Sequence, residues 1–141
     1  SYRFQIGKAV VLREGRDATI ISTGVQSVRA LEAAEQILPR EGIDAGVLHV
    51  PTVKPLDEEA IVRVARLTGA VVTAEDHTIL GGLGGAVAEV LSESCPTRIR
   101  RLGLRDVFGE SAPDQPLLEK YGLTPTHIAE AVRQALRASR L

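Results

Sequence analysis

Short apolar runs and stretches of helical periodicity alternate along this chain. Ala9–Leu12, Ala18–Thr23, Ala45–Val50, the run opening at Val71, and Arg98–Leu104 read as strands. Between them lie amphipathic helices. Ser27–Leu38 carries Ala30, Leu31, Ala34, Ile37 and Leu38 on one face, and Pro39 and Gly42 are expected to stop it. Asp57 caps a helix whose stripe is Ile61, Val64, Ala65 and Leu67, with Glu58 and Glu59 complementing the dipole in its first turn. Ala86, Val87, Val90 and Leu91 mark a third helix, and Leu117–Tyr121 a single helical turn. Thr124 caps the last helix, with Pro125 at its first position and Ile128, Ala131, Val132, Ala135 and Leu136 facing inward. Strands and helices alternating at this spacing predict an α/β fold with a parallel or mostly parallel sheet covered on both faces. The first two strands, joined only by Arg13–Asp17, are expected to form an antiparallel hairpin.

The pattern centres on Val71–Val90. An apolar strand is followed by Glu75-Asp76-His77, read as a polar turn leaving the strand at its carboxyl end. Then come Gly81, Gly82, Leu83, Gly84 and Gly85 and the third helix. In open α/β sheets such carboxyl-end turns are where ligands and partners meet the fold. The glycines admit two purposes: close packing of the helix on the sheet or on another subunit, or backbone N–H groups left free for an anion. A dinucleotide fingerprint would need Gly-x-Gly-x-x-Gly after the first strand, and neither spacing nor position fits, which favours packing. Glu75, Asp76 and His77 form the one acid–base cluster at a strand end. Consecutive side chains on a turn diverge, so capping of the next helix or pairing across an interface is expected ahead of catalysis. His49 reads as a hydrogen-bonded strand residue and His127 as a surface residue, and the three histidines are too far apart to suggest a metal site. Lys54 and Arg105 are carboxyl-end basic residues able to meet a phosphate, or simply solvated.

Composition narrows the function classes. At 141 residues and 44% hydrophobic content the chain is one domain with a real core. A formal net charge of −1 and 3% aromatic content argue against a nucleic-acid or membrane-surface partner. The one cysteine, Cys95, excludes an intrachain disulfide and reads as a small apolar residue at a helix end. With no signal peptide or spanning run in view, the cytoplasm is the expected compartment. Ser1–Gly7, without a Met, reads as a linker or the cut end of a preceding module, with the domain proper at residues 8–141. Phosphate-loop, nucleophile-elbow and zinc-protease motifs are absent, as is the Gly-Asp-Gly…Asn-Asn pattern that holds a thiamine diphosphate–Mg²⁺ pair.

An ordered series of short motifs nevertheless resembles one family. Ile6-Gly7-Lys8-Ala9, Leu12-Arg13-Glu14-Gly15, Thr23-Gly24, Lys54-Pro55-Leu56-Asp57, Thr73-Ala74-Glu75-Asp76-His77, Gly81-Gly82-Leu83-Gly84, Phe108–Pro113 and Tyr121-Gly122-Leu123-Thr124 look like the C-terminal domain of transketolase-type enzymes. The resemblance implies a three-layer α/β/α fold on a five-stranded, mostly parallel mixed sheet with the first strand antiparallel. It also implies a place in an enzyme that moves a two-carbon ketol unit between sugar phosphates. The thiamine diphosphate and Mg²⁺ of that enzyme would be held by its pyrimidine- and diphosphate-binding modules, on the same chain or a separate subunit, in a homodimer or heterotetramer. No catalytic, cofactor-binding or metal-binding residue carries over to this chain, which alone is expected to be inactive. Glu75, Asp76, His77, Gly81, Gly82, Leu83 and Gly84 stand as an anion-binding or interface surface. Deoxyxylulose-phosphate synthases and the β chains of 2-oxoacid dehydrogenase E1 components share the module. Phe108–Pro113 and the Tyr-Gly-Leu-Thr step resemble the transketolase branch more, and Glu110 leans toward its two-chain kind. A stand-alone effector-binding or dimerisation module is the alternative of a different class.

Overall fold

A computed structural model describes residues 2–140. Ser1, where the expected linker begins, and Leu141 lie outside them. The strands are β1 (Val10–Arg13), β2 (Ala18–Ser22), β3 (Ala45–His49), β4 (Val71–Thr78) and β5 (Ile99–Leu104). The helices are α1 (Gln26–Glu41), α2 (Glu58–Thr68), α3 (Leu83–Ser94), α4 (Asp114–Tyr121) and α5 (Pro125–Ser139). The sheet order is β1-β3-β2-β4-β5, with β1 antiparallel to β3 and every other pair parallel. α1 and α5 cover one face through Ile20, Ala34, Ile37, Val72, Ile128 and Val132. α2 and α3 cover the other through Ile21, Leu48, Ile61, Val71, Leu83 and Leu91. The three layers and the antiparallel first strand are as the resemblance implies.

The hairpin is not. β1 runs opposite to β2 but lies one strand away, paired with β3 in the register Val10 to His49 and Val11 to Leu48. Two features of the sequence place it there. Every residue of Ala18–Ser22 is buried, so β2 is a central strand flanked by parallel neighbours and offers β1 no edge. The link after β1 is also bound to the start of β3. Arg16 and Asp17 N–H donate to the Asp44 carbonyl (3.0 and 2.9 Å), and Arg13 and Arg16 pair with the Asp44 carboxylate. Gly15 sits so close to Ala45 and Gly46 that a Cβ there would fall on the Gly46 nitrogen.

α1 runs through Pro39 to Glu41, because Pro39 lies in its last turn on the solvent face, where the carbonyl it leaves unpaired meets water. Gly42 then closes the helix at φ 69°. Leu67, on the margin of the α2 stripe, is exposed, and so is Leu38. α4 begins at Asp114, three residues before the expected turn, and buries no residue, so no apolar stripe announces it. Asp57 caps α2 by accepting from Ala60 N–H (3.2 Å), and its second oxygen takes Ala9 N–H (2.9 Å), fixing the segment before β1. No helix among the described residues is long and apolar enough to cross a membrane.

Candidate functional site

β2–α1–β3 builds outward on one side of the sheet and β4–α3–β5 on the other, so the carboxyl ends of β2 and β4 border the crevice where such sheets place their sites. β4 is longer than the apolar run suggests and continues through Thr78. Glu75-Asp76-His77 is therefore strand, not turn, and the period of two puts Glu75 and His77 on one side and Asp76 on the other. This corrects the expected divergence: the Glu75 and His77 side chains meet, with His77 Nε2 2.9 Å from Glu75 Oε2.

Glu75 is fully buried. Its carboxyl oxygens accept the Leu83 N–H (2.6 Å) and the Gly84 N–H (3.1 Å), the first free donors of α3. Paired with these N–H groups and the imidazole, the buried group escapes the cost of isolation. The glycines make this geometry available. A Cβ on Gly82 would stand 2.1 Å from Glu75 Oε2, and one on Gly84 2.8 Å from Thr73 Oγ1 and 2.9 Å from Arg101 Cδ. Gly81 turns the chain at φ 71°. Leu83, a candidate for the surface, belongs instead to the core beneath α2 and α3, with no exposed area. The N–H groups that a dissolved anion would use at α3 are held by the chain's own carboxyl group. His77 is about half exposed, and its Nδ1 lies 2.9 Å from the Thr78 carbonyl oxygen.

Asp76 faces a cleft of about 340 Å³ lined also by Val25, Arg29, Leu104, Leu117 and Tyr121. The Nη1 of Arg29 is buried there without a hydrogen-bond partner among the described residues. Val25, Leu80, Val107 and Phe108, which follow the carboxyl ends of β2, β4 and β5, are exposed, Phe108 completely. At the carboxyl ends of β2 and β3, Ser22 Oγ lies 2.9 Å from Ser27 Oγ, which lies 2.7 Å from His49 Nδ1. The Tyr2 ring sits 5.9 Å from the His49 ring, and burial lowers the His49 pKa below its ordinary value. His127 is not a free surface residue: half-buried, it holds Thr124 Oγ1 with Nδ1 at 2.6 Å. Lys54 and Arg105 are exposed and lie apart. Among the described residues no three His, Cys, Asp or Glu side chains are grouped to hold a metal ion. The cleft and the exposed apolar edge were missed in the sequence; the only signal was apolar residues placed just past strand ends.

A β1-β3-β2-β4-β5 sheet with α1 and α5 on one face and α2 and α3 on the other defines a three-layer α/β module, its Glu75–His77 pair engaged at the start of α3. The family described as transketolase, C-terminal domain, matches residues 7–128, and the chain belongs to it. Over 131 residues it is 53% identical to the 6-deoxy-6-sulfo-D-fructose transketolase subunit SqwH of Clostridium sp. (strain MSTE9), covering 93% of this chain and 40% of that protein. Against the 1-deoxy-D-xylulose-5-phosphate synthase of Heliobacterium modesticaldum it is 40% identical, over 96% of this chain and 21% of the other. A solved structure described as a split gene transketolase, inactive beta4 tetramer, superposes with a TM-score of 0.93 at 53% identity, over 99% of this chain and 45% of that one. The chain thus spans less than half the length of these relatives.

Proposed function

We propose that this chain is the non-catalytic assembly domain of a transketolase-like enzyme that transfers a two-carbon ketol unit between sugar phosphates in cytoplasmic carbohydrate metabolism. In this reading thiamine diphosphate and Mg²⁺ are bound by pyrimidine- and diphosphate-binding modules outside the chain. The residues present here do not fit that cofactor. Glu75 holds the helix N–H groups that could cradle a diphosphate, and no carboxylate cluster stands by for its metal among the described residues. The higher identity to a transketolase subunit than to the deoxyxylulose-phosphate synthase supports the transketolase branch, and that subunit's name supports a split enzyme.

The observation that carries the assembly role is the carboxyl edge of the sheet. Its acid–base pair is used internally, while Val25, Leu80, Val107 and Phe108 stand exposed past the strand ends, and Val25 shares its cleft with Arg29, whose Nη1 lacks a partner among the described residues. Apolar groups rimmed by charge mark a docking surface, and Arg29 calls for an acceptor from the adjoining module. Leu83 cannot test this, because a charge there would break the core. Asp76→Arg with Leu80→Glu changes exposed positions only. In the whole assembly the double variant should keep its circular dichroism and lose subunit association by sedimentation velocity, since a mismatched charge would be buried at the contact. A folded variant that associates as tightly as wild type would remove this edge from the interface.

A further inference from the structure

Four arginines fall within Arg98–Arg105, and no carboxylate of the described residues forms an ion pair with Arg98, Arg100, Arg101 or Arg105. They lie on or next to β5, an edge strand. Between β5 and α5 runs a groove of about 360 Å³ lined by Arg100, Arg101, Arg105, His127, Glu130 and Gln134 among others. The one carboxylate in that lining does not neutralise these arginines. Glu130 is taken by Arg133 (3.0 Å) and Arg137 (3.1 Å), and it accepts from Gln134 Nε2 at 3.4 Å.

His127 adds a ring nitrogen. Thr124 Oγ1 accepts the His127 N–H as the α5 cap (3.4 Å), so its own proton is free to go to His127 Nδ1, 2.6 Å away. With Nδ1 engaged by Thr124, Nε2 is the ring nitrogen left for a ligand. The groove also adjoins the first turn of α5, the positive end of its dipole. Arg101 packs its stem on Gly84 and reaches the Ile79 carbonyl with Nη1 (3.4 Å), while its own carbonyl receives Arg105 Nη2 (3.3 Å). Two guanidinium groups, Arg100 and Arg105, thus remain at a concave wall with the His127 imidazole and a helix N-terminus, and no carboxylate in the groove pairs with them.

We propose that the β5–α5 groove binds an oxyanion of the phosphate-monoester class. A dianion with three terminal oxygens matches forked guanidinium donors better than a single carboxylate does. The volume lies in the range of small-molecule sites and leaves room for a small polar body behind the phosphate. This assignment does not rest on the transketolase reading, and it uses neither the cleft nor the turn at Glu75.

The test is calorimetric titration of the whole protein at low ionic strength with inorganic phosphate and, separately, with glycerol phosphate. Saturable binding is expected, and Arg100→Gln with Arg105→Gln should weaken it about tenfold or more, as befits two charge-assisted contacts. Both positions are exposed, so the variant should fold, which circular dichroism checks. His127→Phe should weaken binding by a smaller factor, and Lys54→Gln, away from the groove, should leave it unchanged. Tighter binding of the monoester assigns the ligand to the esters; equal binding assigns the site to free phosphate. Either outcome supports an oxyanion site. Failure to saturate by about 10 mM, or unchanged binding in the double variant, overturns it. So does a double variant that fails to assemble with its partner subunit while phosphate never binds, which would make the arginines a contact for an acidic protein surface.

Discussion

The three glycines at the start of α3 should respond to alanine in three different ways. Gly85 has no atom within 4 Å of a built Cβ. Gly85→Ala therefore gains only helix propensity and should stabilise the chain by about 0.5–1 kcal/mol. Gly84→Ala gains the same propensity but sets its methyl 2.8 Å from Thr73 Oγ1 and 2.9 Å from Arg101 Cδ. Thr73 is fully buried on β4 and has little freedom to turn away. Overpacking of this kind costs about 1–3 kcal/mol, so the two variants should differ by about that amount. Gly82→Ala has no propensity to gain. Its methyl would fall 2.1 Å from Glu75 Oε2 and 2.3 Å from His77 Cε1, which expels the carboxyl group from the N–H groups it serves. The cost should reach about 3–5 kcal/mol, that of breaking a buried paired group. Urea unfolding reads the series directly. With a slope of about 2 kcal/mol per molar, each 1 kcal/mol moves the midpoint by about 0.5 M. If Gly84→Ala unfolds within about 0.5 kcal/mol of Gly85→Ala, the close approach of α3 to the sheet is not what fixes glycine at position 84.

Two further measurements probe the same edge. Glu75→Gln keeps the shape but turns an N–H₂ toward one of the two backbone N–H groups it accepts, orphaning a buried N–H. It should cost about 2–4 kcal/mol, against at most about 1 kcal/mol for the half-exposed His77→Gln, and near-neutral behaviour of Glu75→Gln would contradict the capping role. His49, whose pKa burial lowers from 6.5, takes up its proton more readily when unfolded. Its contribution to stability is thus complete above pH 6.5 and falls as the pH drops through that value toward the lower folded pKa. His49→Gln should gain on wild type in urea midpoint between neutral and mildly acidic pH, and parallel curves would show that His49 is not responsible.

Strands and helices were legible because burial on both faces leaves continuous apolar runs and burial on one face leaves a helical stripe. Neighbour relations were not. Apolar periodicity says which side of β1 faces the core, but what carried it past β2 was Asp44 gathering Arg13, Arg16 and Asp17. α4 was half hidden because it buries nothing. The end of β4 was hidden for the opposite reason: Glu75 and His77 alternate as a strand requires, but Glu75 meets helix N–H groups and His77 meets Glu75, not apolar side chains, so the polar letters read as a turn. Leu83 looked exposed between glycines, yet small neighbours are what let the helix carry it into the core. The site followed the same logic. Sequence singled out Glu75, His77 and the glycines but could not pair them, while Arg29 and the β5–α5 groove draw on positions far apart in the chain.

The Glu75 carboxyl group at the start of α3 acts as a tethered counter-ion. A helix end that depends on a dissolved anion is filled according to concentration, by mass action. A carboxyl group delivered by the neighbouring strand competes at an effective concentration on the order of mM or more, fixed by the chain's length. Its desolvation is met once, at folding, and the N-terminus of α3 is then indifferent to the ionic composition around it. The strand and helix are coupled by a bond supplied within the chain, so this edge keeps one shape whatever the concentration of dissolved anions. If this edge is the assembly surface proposed above, its docking geometry is set at folding and not by the solution around it.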